Sequence, residues 1–126
     1  MDDGAFRFEK LEVWQKAMEW TRHVYSASRS FPETERYCLQ SQLRRSAVSV
    51  ASNIAEGAGR GTDADFVRFL EMAYGSLMEA ICQCRIAYDM GYIEADEHDT
   101  LRNEAAEVAR MLAGLRRHRM PERTKP

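Results

Sequence analysis

A chain of 126 residues, 44% apolar and 30% charged with seven glycines and three prolines, has the composition of an ordinary globular domain with one hydrophobic core. That mixture excludes collagenous, disordered and disulfide-scaffold classes, and no run of about eighteen apolar residues offers a membrane-spanning helix. A formal net charge of -2, from 18 basic and 20 acidic side chains, gives no global attraction to nucleic acid, so any such binding has to be local.

The first residues carry Asp2 and Asp3 and no apolar stretch, so no targeting signal is read there and the cytoplasm is the expected compartment. Leu11, Trp14, Met18, Thr21, Tyr25 and Ser28 recur every three or four residues, which predicts a first helix over about 10–31, stopped by Phe31 and Pro32. Leu39, Leu43, Ala47, Val50 and Ile54 predict a second helix over 39–56, broken by Gly57, Gly59 and Gly61, with left-handed glycines expected in the turn. Thr62, with Asp65 three residues on, is placed as the N-cap of a third helix over 63–90, which Gly91 closes. Its face of Phe66, Phe69, Leu70, Ala73, Leu77, Ala80, Ile81, Cys84 and Tyr88 is continuous on a rod of about 40 Å. Asp96 is expected to cap a fourth helix over 96–118 with Leu101, Ala105, Val108, Leu112 and Leu115, before a polar tail at 121–126. Four amphipathic helices with short links predict an all-α, antiparallel up-down-up-down four-helix bundle, a single domain over 1–126.

Val13, Trp20 and Ala27 on the first helix, and Met72, Ile86 and Met90 on the third, fall away from these stripes. A helix that is apolar on two sides points to a second chain, so these six residues are candidates for an oligomer interface. On the second helix, Gln42, Arg45, Ser49, Asn53 and Glu56 form a polar stripe at spacings of three and four. It reads either as a recognition surface or as a hydrogen-bonded seam between helices or subunits. Ala51, Ala55 and Val48 line another side, where a neighbouring helix can come close.

The chemistry of catalysis is thin. His23, His98 and His118 give no Glu-x-x-His pair and no nucleophile-base pairing, so neither a metal centre nor an enzymatic activity is expected, and no cofactor. Glu94 and His98 stand four apart, but at a turn and an expected exposed helix start. Cys38, Cys82 and Cys84 are odd in number and lack C-x-x-C spacing, which suits reduced thiols. The run GAGRG before Thr62 lacks the lysine of a phosphate loop and follows a helix, not a strand. Charge is segregated: 89–107 holds seven acids and one arginine, while 110–126 holds six basic residues and one glutamate. Arg44, Arg45, Arg60 and Arg68, with Arg116, Arg117, Arg119, Arg123 and Lys125, are therefore the candidates for a nucleic-acid surface. No aromatic residue is interleaved with the tail, so binding there is expected to be electrostatic and sequence-tolerant.

The stretches FEKLEVWQKAME (8–19), SQLRRSAVSVASNIAEGAGRG (41–61) and FVRFLEMAYGSLMEA (66–80) resemble the bacterial 23S rRNA intervening-sequence proteins, as do GYI (91–93) and ARMLAGL (109–115). The central motif falls on Gln42, Leu43, Arg44, Arg45, Ser49, Asn53, Ile54, Ala55, Glu56, Gly57 and Arg60. Ala51, where the family often has proline, and Cys38, where it commonly has glycine, are departures that bear on interface detail. The resemblance implies an antiparallel bundle, commonly a homopentameric ring. It is similar in fold to the accessory variability protein of diversity-generating retroelements, which works beside a reverse transcriptase and contacts nucleic acid. It brings no established molecular activity. The expectation is a non-enzymatic, ring-shaped homo-oligomeric scaffold that binds RNA, DNA or a protein acting on them; the alternative is a protein-interaction module without nucleic acid.

Overall fold

The computed structural model describes residues 6–120, so the predicted tail at 121–126, with Arg123 and Lys125, lies outside the described residues. A short 3-10 helix, Arg7–Lys10, leads into α1 (Glu12–Ser28); a second, Glu33–Glu35, precedes α2 (Leu39–Ala58); α3 (Asp63–Asp89) and α4 (Ala95–Arg119) follow. No strand occurs among the described residues. Each helix packs on two others: α1 on α2 and α4, and α3 on α2 and α4.

Two helix boundaries follow directly from side-chain and backbone chemistry. The Thr62 hydroxyl accepts the Asp65 N–H at 3.1 Å, and Asp63 and Asp65 sit in the first turn, where the helix dipole favours negative charge. At the other end of α3, Gly91 adopts φ +82°, the Tyr92 N–H donates to the Ala87 carbonyl at 2.8 Å and the Gly91 N–H to that of Tyr88 at 3.0 Å. That is the paired-bond C-terminal stop which glycine makes cheap. Gly91 is the only glycine among the described residues in the left-handed region. The expectation of left-handed glycines in the 57–61 turn is thus corrected. Gly57 belongs to α2 itself, where a Cβ would stand 2.7 Å from the Cβ of Phe69 and 2.9 Å from Cδ1 of Phe66. Its role is close approach of α2 to α3. Asp96 also does not cap α4: the N-cap is Glu94, whose side chain makes no capping bond.

One core gathers Leu43, Ala47, Val50 and Ile54 of α2, Phe66, Leu70, Ala73 and Leu77 of α3, and Leu101, Ala105, Val108 and Leu112 of α4. Each fully buried large aliphatic contributes roughly 1.5–3 kcal/mol of burial. These faces are the ones the periodicity predicts, except that Tyr88 of α3 is exposed. On α1 the stripe is rotated. Val13, Ala17, Trp20, Val24 and Ala27 are buried, Leu11, Trp14 and Met18 are half-buried, and Tyr25 is exposed. Val13, Trp20 and Ala27 therefore belong to this chain's own core, not to a second face. Trp20, 1% exposed, settles the rotation, because its indole N–H donates to the Leu101 carbonyl at 2.9 Å and ties α1 to α4. Ala51 also turns into the core, whereas Val48 is exposed.

Candidate nucleic-acid interface

The seven candidate arginines separate into two groups. Arg44 and Arg45 sit in the second turn of α2, about 20 Å along the helix axis from Arg60. Arg60, Arg68, Arg116 and Arg119 gather where α2 ends and α3 begins. Arg60 and Arg68 each place a guanidinium 4.7 Å from the centre of the Phe69 ring, and Arg119 stands 5.1 Å from that of Phe66. These four arginines meet four carboxylates: Arg60 with Glu56 at 2.9 Å, Arg68 with Asp65 at 3.6 Å, Arg116 with Glu71 at 2.7 Å and Arg119 with Asp63 at 3.3 Å. Each exposed pair contributes little stability, yet together they cancel the local charge that would attract a phosphate backbone. Arg117 is exposed and, among the described residues, has no ion pair or hydrogen bond.

The α2 pair is arranged differently. The Arg44 Nε–H donates to the Ser28 hydroxyl at 2.8 Å, its Nη2 donates to the Tyr25 carbonyl at 3.2 Å, and its guanidinium lies 4.7 Å from the centre of the Tyr25 ring. It clamps the C-terminal end of α1, where a cation complements the dipole, and meets no carboxylate. Arg45 is exposed, with no ion pair or hydrogen bond among the described residues. Both line an open groove of about 650 Å³ together with Tyr25, Arg36, Tyr37 and Gln40, and no acidic residue lines it. The Arg36 guanidinium lies 5.3 Å from the centre of the Tyr37 ring and 3.7 Å from Glu33, a pair exposed enough to be worth little. At the N-terminus of α2 the Leu39 N–H donates to the Glu35 carboxylate at 3.2 Å, so that helix end already meets an acid just outside the groove lining.

Tyr25, Arg36 and Tyr37 were not singled out by sequence as binding residues. Tyr25 fits a helical stripe and reads as core. Tyr37 does carry a signal, since it falls in a polar connection with no apolar partner at helical spacing.

The polar stripe of α2 is divided. Ser49 bonds Ser76 of α3 through their hydroxyls at 2.8 Å, and the Asn53 amide donates to the Ser49 carbonyl at 2.9 Å and hydroxyl at 3.0 Å, which makes a seam between the two helices. Gln42 and Glu56, at its ends, are exposed. Of the predicted interface residues, Met72, Ile86 and Met90 stay in water on α3, Met90 at 60% exposure.

Two of the three histidines are held by neighbouring side chains, and the third, His118, is exposed. His98, expected at an exposed helix start, is buried, its ring stacked 4.7 Å from that of Tyr88. His23 Nδ1 lies 2.8 Å from Glu104 and Nε2 3.6 Å from Glu97, which joins α1 to α4. No cluster of three or more His, Cys, Asp or Glu suited to a metal ion occurs among the described residues. Burial pushes the Cys84 thiol up to about 12, while Cys38 and Cys82 are exposed and free. No helix among the described residues is long and apolar enough to cross a membrane.

The family of 23S rRNA-intervening sequence proteins matches residues 9–114. The chain belongs to that family. Its fold is similar to the crystal structure of a protein with unknown function from the S23 ribosomal protein family of Bacteroides thetaiotaomicron VPI-5482. The TM-score is 0.75 at 23% identity, over 82% of this chain and 94% of the other. Comparison with the curated proteins finds no match. Family membership brings no specific molecular function with it.

Proposed function

We propose that this family member is a non-enzymatic, cytoplasmic, homo-oligomeric scaffold that binds nucleic acid electrostatically at the junction of α1 and α2. The observation that carries the reading is the contrast between the two arginine groups. Four arginines at the far end of α2 are each paired with a carboxylate, whereas Arg44 and Arg45 meet none and share, with the Glu33-paired Arg36, a groove that no carboxylate lines. A phosphate backbone is attracted by uncompensated cations, and copies of one groove around an oligomer add by multivalency.

Exposed Met72, Met78, Ile86 and Met90 on α3 support self-association, because a monomer seldom leaves so much apolar surface on one helix in water. The subunit we propose is the antiparallel up-down-up-down bundle. Contacts that rise along one helix as they fall along the next support it: Ser49–Ser76 and Gly57–Phe66 for α2 with α3, Glu71–Arg116 and Asp63–Arg119 for α3 with α4. A pentameric ring is the assembly that the family resemblance implies.

Nuclease-treated protein, its native mass recorded by light scattering, is titrated with RNA and duplex DNA at about 50 and 200 mM salt. Binding that falls steeply with salt, weakens in Arg36→Ala and Arg45→Ala and is unchanged in Arg116→Ala is expected. No binding at low salt overturns the nucleic-acid reading in favour of a protein-interaction module. A stable monomer at micromolar concentration overturns the oligomeric one.

A further inference from the structure

The groove holds more than charge. Tyr37 is 83% exposed, which water penalises for so large a ring. One face of its ring carries the Arg36 guanidinium; Tyr25, beside it in the same groove and 39% exposed, carries that of Arg44. A guanidinium over one face of an exposed ring is a weak contact that leaves the opposite face to a flat ligand. Two such rings and the unpaired Arg45 line one groove about 650 Å³ in size.

Resting on the nucleic-acid reading above, we infer that the groove accepts single-stranded nucleic acid in preference to duplex. In a duplex the faces of the bases are stacked on one another and only phosphates and edges are offered. In a single strand the base faces are free to lie on aromatic rings while the backbone follows the cations. The open face of Tyr37 receives one base. Tyr25, held by Arg44 against the end of α1, receives a neighbour, and Arg36 and Arg45 meet the phosphates. Stacking tolerates every base, so sequence preference is weak, and an exchange of tyrosine for phenylalanine keeps the interaction.

The test titrates the whole protein with a dodecamer single strand of RNA and the same length of duplex, at low and near-physiological salt, for the parent, Tyr37→Ala, Tyr37→Phe and Arg45→Ala. Tyr37 is exposed, so its variants keep their fold and native mass, both of which are recorded. Single-strand affinity is expected to exceed duplex affinity by at least about tenfold and to fall roughly 5- to 100-fold in Tyr37→Ala, the range of one lost base stack, with recovery in Tyr37→Phe. The salt slope should stay unchanged in Tyr37→Ala and drop by about one in Arg45→Ala. Equal affinity for the two forms, or a Tyr37→Ala variant that binds like the parent while Arg45→Ala weakens, overturns the stacking inference and leaves the electrostatic reading standing. No binding to either form at low salt overturns both.

Discussion

Gly57→Ala sets two effects of similar size against each other, and the structure says which is larger. In a helix, alanine is favoured over glycine by up to about 1 kcal/mol, less near a helix end, and Gly57 is one residue from the end of α2. Against that gain, the new methyl would lie 2.7 Å from the Phe69 Cβ. That atom is fixed to the α3 backbone, so no rotamer change relieves the contact, and α2 and α3 must separate by about 1 Å. Overpacking of this kind costs roughly 1–3 kcal/mol. The net expectation is a loss of about 1–2 kcal/mol, a Tm lower by roughly 3–8 °C for a chain of this length. Gly59→Ala is the matched control: its Cβ would meet nothing nearer than the Glu56 carbonyl oxygen at 3.5 Å, and its φ of -87° suits alanine. Thermal melts by circular dichroism at one protein concentration measure both variants, since assembly makes Tm depend on concentration. A Gly57→Ala Tm at or above that of Gly59→Ala would refute the close-packing account.

Trp20→Phe removes the indole bond to Leu101 and part of a buried ring, so urea unfolding should show a loss of about 2 kcal/mol with native mass unchanged; a fall in mass at constant subunit stability would return Trp20 to an interface. Arg44→Ala should destabilise by about 1–2 kcal/mol, because two charge-assisted bonds to the end of α1 are lost, while Arg45→Ala stays within about 0.5 kcal/mol; equal effects would contradict the clamp. The Cys84 thiol should resist a thiol reagent at pH 8 until urea is added, whereas Cys38 and Cys82 react at once without it. With its folded pKa pushed up from 9.0 to about 12, the unfolded chain ionises first, so stability from this group is complete below about pH 9 and declines by up to about 1.4 kcal/mol per pH unit above it. A Cys84→Ala chain that loses stability just as steeply between pH 9 and 10 would rule that out.

The faces of α2, α3 and α4 are legible in sequence because the longest apolar stripe at helical spacing on each is the one that is buried. The Thr62 cap and the Gly91 stop are legible because both are local chemistry. On α1 two stripes compete, Leu11-Trp14-Met18 and Val13-Trp20-Ala27, and periodicity cannot rank them. The choice is made by a bond to Leu101, 81 residues away. Gly57 misleads for a related reason. Glycine breaks helices in isolation, yet here the missing side chain is what lets α2 and α3 touch. Among the arginines, sequence supplies the local partners at helical spacing, Glu56 for Arg60 and Asp65 for Arg68, and not the distant ones. Glu71 for Arg116 and Asp63 for Arg119 come from another helix, so neutralisation at that end becomes visible only after folding. Tyr25 and Tyr37 join Arg44 and Arg45 in one groove because the connection between α1 and α2 folds back beside them, a placement that no spacing rule encodes.

Photo-crosslinking of a 4-thiouridine-containing single strand to the intact protein, with the modified peptides read by mass spectrometry, tests the location of the nucleic-acid surface most directly. Crosslinks are predicted on peptides containing Tyr25, Tyr37 and Arg45, and they should disappear as salt is raised. Crosslinks concentrated on 116–119 would contradict the groove and restore the basic end of α4 as the binding surface.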